Sequence, residues 1–215
     1  TTKFESVNST ALPGIFEVQM GKNLAYVEKT GRYFVFGHLY DMSTQQDLTA
    51  RKLEDFNKIE FAALPLADAI KTVRGNGGRK LAVFSDPDCP YRRKLESELI
   101  KLNDVTIYTY LYPLEGLHPD AKRKSVSIWC AKDRSALWES VALRNQNPDS
   151  ATACDHPIDR TIALGQSLNI TGTPMIISAD GRTLPGAVSA EKLETWLGMS
   201  ETKKVGESGV KNDKK

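Results

Sequence analysis

One short segment restricts the fold of this chain more than any other: the Cys89-Pro90 pair between a strand-like run and a helix-like run. Residues 81–84 (Leu-Ala-Val-Phe) are typical of a buried strand, and residues 94–100 (Lys-Leu-Glu-Ser-Glu-Leu-Ile) have helical spacing. Proline is well tolerated in the first turn of a helix, where its missing N–H removes no hydrogen bond. A cysteine at a helix N-terminus has its thiolate stabilised by free N–H groups and the helix dipole. The segment therefore predicts thiol redox chemistry at a strand-to-helix junction.

Position 92 departs from the common redox motif Cys-x-x-Cys, because Arg92 stands where the second cysteine would be. The positive charges of Arg92 and Arg93 favour a thiolate at the first position, whereas Asp86 and Asp88 oppose it. The sequence leaves the balance of these charges open. The substitution determines which thiol reactions the chain can complete.

The pattern along the chain predicts an α+β protein with an N-terminal β-rich unit over residues 1–62. Residues 15–20 alternate apolar and polar side chains, a turn follows, and residues 24–27 form a second strand-like run. Further strand-like runs at 33–36 and 38–40 complete an antiparallel meander with one buried face. Such a unit is too small to bury much surface alone, and its open edges favour pairing with a second copy.

Residues 63–78 are predicted to form a linker helix and hinge. Leu64 and Pro65 begin a helical pattern, and the glycine-rich run at 74–78 ends it. A helical arm that ends in glycines would let two modules move relative to each other.

Residues 79–200 alternate strand and helix, which indicates a thioredoxin-like α/β core with a helical insertion. After the Cys89 helix we expect a strand, a long helix, a polar loop, a helix, a strand, a hairpin turn and a last helix. These elements are placed at 105–111, 121–143, 145–155, 157–168, 175–177, 179–182 and 189–197. The tail over residues 201–215 is polar and charged, so we expect it to be disordered.

The Thr173-Pro174 pair directly precedes the predicted strand at 175–177. Alone it indicates no more than a turn. A cis-proline at this place leaves the backbone groups of the preceding residue open to pair with an extended peptide. A mixed disulfide between Cys89 and a protein substrate needs such a docking edge.

The chain has three cysteines, and Cys130 and Cys154 lie 24 positions apart. One disulfide with a free Cys89 is the simplest division, and three reduced, buried cysteines are the alternative. The number of cysteines leaves both open. No Cys/His spacing typical of a zinc site is present and the histidines are scattered, so we expect no metal or other cofactor.

Composition argues against two classes of partner. The net charge of +2 provides no basic field for nucleic acid. No apolar run approaches the length of a membrane span, so we expect a protein that is not embedded in a membrane.

Four segments give the chain a resemblance to the DsbC/DsbG family of periplasmic thiol:disulfide interchange proteins, closer to its DsbC branch. They are Phe-Ser-Asp-Pro-Asp-Cys-Pro-Tyr at 84–91, Tyr-Pro-Leu-Glu-Gly-Leu at 112–117, Ile-Trp-Cys-Ala-Lys-Asp at 128–133 and Thr-Gly-Thr-Pro at 171–174. The resemblance implies a cystatin-like N-terminal dimerisation domain, a linker helix and a thioredoxin-like domain with a helical insertion. It also implies a V-shaped homodimer formed through residues 1–62.

The resemblance implies a role for each candidate site residue. Cys89 is the nucleophile, Arg92 marks the place of the missing resolving cysteine, and Cys130 and Cys154 form the structural disulfide. The residues expected to contact substrate are Pro90, Tyr91, Thr173 and Pro174. The family's setting implies a periplasmic protein that acts on misfolded, disulfide-containing proteins and is served by a DsbD-like membrane reductant.

Arg92 leaves three hypotheses open. The first is a disulfide isomerase inactivated, by engineering or selection, through loss of its resolving cysteine. The second is a natural monothiol member that isomerises or binds without resolving, and the third is a non-enzymatic dimeric chaperone that holds unfolded chains in its cleft. All three share one expectation, which is that the chain cannot form an active-site disulfide.

Overall fold

The computed structural model describes residues 4–149 and 154–207, with side chains up to residue 198. The chain divides into two compact units between residues 58 and 59, near the predicted boundary at 62. Each unit has its own sheet.

The first unit is built on an antiparallel sheet in the order β1-β2-β3-β4. Its strands are Ser6–Ser9 (β1), Ile15–Met20 (β2), Asn23–Glu28 (β3) and Phe34–Val35 (β4). A small hairpin, Tyr40–Asp41 (β5) and Gln46–Asp47 (β6), leads into the helix Leu48–Phe56 (α1). The predicted meander is confirmed for β2, β3 and β4, but the run at 38–40 does not continue it, since only Tyr40 of that run is in a strand and this strand pairs with β6 in a separate two-stranded sheet. Strand β1 and helix α1 were not predicted.

A polar contact with a buried carboxylate attaches helix α1 to the sheet. Asp47 caps the helix by accepting the N–H of Ala50 at 2.9 Å. Glu17, which is only 3% exposed, accepts a hydrogen bond from the ammonium group of Lys52 at 2.6 Å. A buried carboxylate is costly unless it is paired, so this contact fixes the helix over the sheet.

The second unit has a five-stranded sheet in the order β11-β10-β8-β9-β7, in which only β8 and β9 are parallel. The strands are Ile70–Arg74 (β7), Arg79–Ser85 (β8), Val105–Leu111 (β9), Met175–Ser178 (β10) and Thr183–Pro185 (β11). The helices are Pro90–Leu99 (α2), Ala121–Cys130 (α3), Arg134–Arg144 (α4), Ile158–Ser167 (α5) and Ala190–Glu207 (α6).

Strand β8 is buried on both faces, which explains its continuous apolar run. Leu81 and Val83 belong to one core cluster, together with α2 and α6 residues such as Leu95 and Leu193. Ala82 and Phe84 point to the opposite face and belong to a second cluster with Tyr110 and Ile177. A third cluster holds the insertion against the sheet through Ile70, Leu111, Ile128, Trp138 and Ile158.

The predicted linker helix over residues 63–78 is wrong. The chain instead forms two short 3₁₀ turns, Phe61–Ala63 and Leu66–Asp68, followed by strand β7. Strand β7 pairs antiparallel with β9 over its whole length. The alternation of Ile70–Arg74, with Ile70 buried and its neighbour exposed, is the strand signal that outweighed the helical start at Leu64.

Two further helix predictions need correction. The helix expected over 121–143 is split into α3 and α4, because Asp133 caps a new helix by accepting the N–H of Ala136 at 2.9 Å. Disorder from residue 201 is wrong for residues 201–207, which continue α6. That stretch is made mainly of good helix formers and contains no proline. The rest of the predicted tail lies outside the described residues.

Candidate active site

Cys89 is the N-cap residue of α2, where the chain leaves β8 and turns into the helix. Its backbone is extended, with φ −64° and ψ 124°, and Pro90 takes the first helical position. The N–H of Cys89 donates to the carbonyl oxygen of Asp86 at 3.1 Å and closes the turn. The cysteine is only 5% exposed, so the sulfur is held at the helix N-terminus in a largely buried place.

The loop before β10 brings the second predicted segment to Cys89. The Thr173–Pro174 peptide bond is cis. Because β10 pairs antiparallel with β8, Met175 lies opposite Phe84, and the loop reaches the end of β8 where the active-site turn begins. The thiol of Cys89 donates to the carbonyl oxygen of Thr173 at 3.2 Å. Sheet register thus places the two predicted segments in one site.

The carboxylate of Asp86 accepts hydrogen bonds that hold the active-site turn in place. It is fully buried, and its Oδ1 accepts the N–H of Asp88 at 2.6 Å. Its Oδ2 accepts the N–H of Leu114 at 2.7 Å and lies 3.0 Å from Nδ1 of His118. Sequence reasoning treated Asp86 only as a charge and did not connect it with His118. The available signal was an acidic residue directly after a buried strand, which needs several donors once it is buried.

Arg92 is buried as deeply as Cys89, at 5% exposed. Its Nη2 donates to the carbonyl oxygen of Val141 at 2.9 Å and to Oδ1 of Asn145 at 3.1 Å. Val141 lies in the last turn of α4, whose final carbonyl groups have no partner within the helix, and Asn145 is the C-cap in a left-handed conformation. A cation at this end of a helix is favourable, so Arg92 caps α4.

Burial of the charged Arg92 guanidinium is electrostatically unfavourable. Burial lowers the pKa of Arg92, and Asp88 and Asp86 oppose that shift. Among the side chains that the structure describes, no carboxylate forms an ion pair with Arg92. Its Nε is buried and has no hydrogen-bond partner. The guanidinium is therefore a buried cation satisfied mainly by neutral oxygens.

Glu96 lies one helical turn beyond Arg92 in α2. Burial raises the pKa of Glu96 to about 7, although the indole N–H of Trp138 opposes the shift by donating to Oε1 at 3.2 Å. Sequence reasoning missed this carboxyl group, because its partner Trp138 belongs to α4 and no local pattern connects the two.

Cys130 and Cys154 form a disulfide with Cα atoms 5.8 Å apart, and Cys89 is the free cysteine. The bond joins the last residue of α3 to the segment before α5. It links two parts of the insertion and includes no residue of the Cys89 turn.

The surface near Cys89 combines apolar and charged groups. Tyr91, two residues after Cys89, is 62% exposed and presents apolar area to solvent. The contact of Tyr91 and Pro90 with substrate stays a prediction. On the charged side, the ammonium group of Lys124 lies 2.5 Å from Oδ1 of Asp88.

Two other kinds of site are absent from the described part of the chain. Those residues contain no group of three or more His, Cys, Asp or Glu side chains that would hold a metal ion. None of the helices in the same residues has the length and apolar character needed to cross a membrane.

Two domain families match the chain. Residues 66–200 match the thioredoxin-like domain, and residues 1–50 match the disulfide bond isomerase protein N-terminal domain. The first match contains both segments of the Cys89 site, and the second covers the sheet of the first unit.

Individual relatives agree with these matches. The probable thiol:disulfide interchange protein DsbC of Bordetella pertussis is 38% identical over 199 residues, which are 91% of this chain and 70% of that protein. The thiol:disulfide interchange protein DsbC of Escherichia coli is 25% identical over 201 residues, which are 91% of this chain and 81% of that protein. The crystal structure of a disulfide interchange protein from Neisseria gonorrhoeae is 42% identical, with a TM-score of 0.60, and the match covers 63% of this chain and 97% of that one.

The matched ranges extend over both units, and residues 66–200 contain Cys89 and the Thr173–Pro174 pair. The sequence resemblance is thereby confirmed at the level of the family, and the chain belongs to the DsbC family of thiol:disulfide interchange proteins.

Proposed function

We propose that this chain is a monothiol disulfide isomerase that acts on misfolded proteins of the bacterial periplasm through mixed disulfides at Cys89. The observation that carries the proposal is the 3.2 Å contact between Cys89 Sγ and the carbonyl oxygen before the cis-proline. It places a free thiol, at a helix N-terminus, beside a backbone edge that an extended peptide can pair with.

The chemistry needs one thiolate for its first step. The Cys89 thiolate attacks one sulfur of a substrate disulfide, a new S–S bond forms, and the other substrate sulfur leaves as a thiolate. If another thiol of the substrate attacks the substrate sulfur of the mixed disulfide, Cys89 is released and the substrate disulfide has moved, whereas attack by the original leaving thiolate restores the starting disulfide. No electrons are gained or lost, so isomerisation does not require a second enzyme cysteine.

Net oxidation or reduction by the chain alone does require a second enzyme cysteine. Arg92 has no sulfur with which to attack the mixed disulfide, and the other cysteines are joined to each other. We therefore expect the chain to lack ordinary dithiol oxidase activity, to isomerise slowly and to accumulate trapped complexes. A DsbD-like membrane reductant would act on such mixed disulfides rather than on an active-site disulfide.

We propose that the chain forms a homodimer through the first unit. Strand β4 lies at an edge of its sheet, and Tyr33, Val35 and Phe36 around it are each at least 60% exposed. An open strand edge flanked by apolar side chains favours pairing with a second copy. Static light scattering at micromolar concentration should give the dimer mass, and a monomer would contradict the proposal.

The test of isomerisation is refolding of a scrambled multi-disulfide protein, compared with the same experiment on Cys89→Ala. The wild-type chain should accelerate recovery of native disulfides, and trapped complexes should appear on non-reducing gels only when Cys89 is present. Equal recovery with both proteins would contradict the proposed activity.

The exposed apolar residues of the first unit also favour a second candidate, a dimeric chaperone that holds unfolded chains without chemistry. Suppression of aggregation separates the two functions. Equal suppression by the wild-type chain and Cys89→Ala, together with no gain in native disulfides, would favour the chaperone.

A further inference from the structure

A cavity of about 280 Å³ adjoins Cys89 on the first turn of α2. The residues that line it are Asp88, Cys89, Pro90, Arg92, Arg93 and Asn145. Neither Thr173 nor Pro174 is among them, so the cavity is separate from the backbone edge proposed for the substrate peptide. The cavity therefore offers a second molecule a route to the sulfur other than the Thr173 backbone edge.

The hydrogen-bonding groups of this cavity are mainly donors. Arg92, which is 95% buried, has an Nε with no hydrogen-bond partner. Arg93 is exposed and brings a second guanidinium. Asn145 uses Oδ1 to accept from Arg92, which leaves its amide NH₂ group as a donor. Two guanidinium groups beside an amide donor favour the binding of an anion.

The charges around the cavity also favour an anion. Arg92 and Arg93 contribute two positive charges, and Asp88 is the acidic residue among the lining residues. Asp88 is already paired with Lys124, which lies on α3 at 2.5 Å. The charged side chains that line the cavity are two arginines and one aspartate that is already paired, so the lining has an excess of positive charge, and Cys89 forms part of the same lining.

We propose that this cavity binds a small thiol carboxylate, which resolves mixed disulfides at Cys89 in place of the missing cysteine. The inference rests on the proposed function, since it requires a mixed disulfide. The carboxylate pairs with Arg92 and Arg93, and the thiolate of the same molecule attacks Cys89 Sγ. A bond forms between the two sulfurs, the bond from Cys89 to the substrate breaks, and the substrate sulfur leaves as a thiolate with the electron pair.

The cycle closes with a second molecule of the same thiol. Its thiolate attacks the Cys89–ligand disulfide, releases the Cys89 thiolate and leaves as a symmetric disulfide. Two external thiols are oxidised and one substrate disulfide is reduced, so electrons and protons balance. The cavity volume suits a ligand with few heavy atoms, such as cysteine or 3-mercaptopropionate.

The experiment starts from full-length protein loaded at Cys89 with 4-thiopyridine, a neutral leaving group whose release is followed by absorbance. Release is driven by 3-mercaptopropionate (anionic), 2-mercaptoethanol (neutral) or cysteamine (cationic), and each rate is expressed per thiolate. The same thiols acting on a small thiopyridyl disulfide give the intrinsic ratios. At low salt we expect the rate of the anionic thiol, relative to that of the neutral thiol, to be about fivefold higher with the protein than with the small disulfide. This difference corresponds to about 1 kcal/mol of charge attraction.

Matched variants locate the effect. Arg93→Gln should remove most of the preference, whereas Lys94→Gln removes the same charge at the next position, outside the cavity lining, and should retain it. High salt should weaken the preference as well. If the wild-type chain shows only the rate ratios of the small disulfide, the inference is overturned. It is also overturned if Arg93→Gln and Lys94→Gln lose the preference equally, and either result leaves the proposed isomerase intact. Failure of Cys89 to accept the thiopyridine group would overturn both.

Discussion

Cys89 and Arg92 begin the same helix one turn apart, yet they face different parts of the second unit. Cys89 contacts the loop before β10, whose position is set by the pairing of β10 with β8. Arg92 contacts the C-terminal end of α4 in the helical insertion. One residue is placed by the central sheet and the other by an element added to it.

The difference shows what the substitution at position 92 has changed. The side chain at position 92 has a structural role without a sulfur, because the guanidinium of Arg92 satisfies two acceptors at the end of α4. The contact of the Cys89 thiol with the carbonyl oxygen of Thr173 does not involve the side chain of residue 92. Covalent chemistry and structural support, which a Cys-x-x-Cys motif combines in one turn, are here divided between two residues.

The largest effect is expected when a second sulfur is restored at position 92. In Arg92→Cys the resolving thiol is held within the same helical turn, so its attack on a mixed disulfide is intramolecular. We expect release of substrate to exceed that of the wild-type chain, with millimolar external thiol, by on the order of a thousandfold or more. Stopped-flow release from a fluorescent mixed disulfide measures the rate directly.

Two observations check that result. Arg92→Ser, which lacks both the sulfur and the guanidinium, should show no acceleration. Mass spectrometry of Arg92→Cys should detect an active-site disulfide, two hydrogens lighter than the dithiol. Absence of that disulfide under oxidising conditions would contradict the placement of residue 92 beside Cys89.

Much of the Cys89 side could be predicted from the sequence, because its signals are local. An apolar run, a cysteine, a proline in the first turn and a helical pattern define the junction. The strand after Pro174 and its turn are equally local, and pairing of β10 with β8 brings the two together. The Cys130–Cys154 pairing came from the family resemblance, because the number of cysteines left it open.

The Arg92 side could not be predicted in the same way. Its acceptors lie about 50 residues along the chain in the insertion, and the sequence placed one long helix there instead of α3 and α4. The contact of Asp86 with His118 is similarly non-local. The missing linker helix is a different error, since Ile70–Arg74 is a strand because β9 offers it a partner edge. Tertiary pairing outweighed local propensity there.

Removing the cap should have a moderate effect on stability. Arg92→Met fills similar space but leaves the Val141 carbonyl oxygen and Asn145 Oδ1 without their donor. Loss of these charged hydrogen bonds, partly offset by relief of the buried charge, should lower the free energy of unfolding by about 2 kcal/mol. Urea unfolding followed by tryptophan fluorescence measures the change.

The neighbouring arginine is the matched control for this prediction. Arg93 is exposed, so Arg93→Met should change the free energy of unfolding by less than about 0.5 kcal/mol. If Arg92→Met unfolds at the same urea concentration as the wild-type chain, Arg92 does not stabilise α4. The structural role that distinguishes Arg92 from Cys89 would then be wrong.

The smallest expected effect on stability comes from Glu96, which lies one helical turn beyond Arg92 in α2. Its pKa is raised to about 7 in the folded chain from the ordinary value of 4.5. Between these two values the unfolded chain has lost the proton while the folded chain retains it, so this group's contribution to stability falls as pH rises through that window and stays lost above it. The full shift corresponds to about 3 kcal/mol, and because the side chain is partly exposed we expect about 1 kcal/mol.

Glu96→Gln tests this prediction, since glutamine stays neutral and retains an acceptor oxygen for the Trp138 indole. The variant should gain stability relative to the wild-type chain between about pH 5 and about pH 8. Glu98→Gln is a control of opposite sign, because the ammonium group of Lys101 lowers the pKa of Glu98 from its ordinary value. Glu98 therefore stabilises the folded chain above its ordinary pKa, and its variant should lose stability over the range in which Glu96→Gln gains it. If the free energy of unfolding of the wild-type chain and of Glu96→Gln changes with pH in parallel, water reaches Glu96. The face of α2 that carries Arg92 and Glu96 is then solvated.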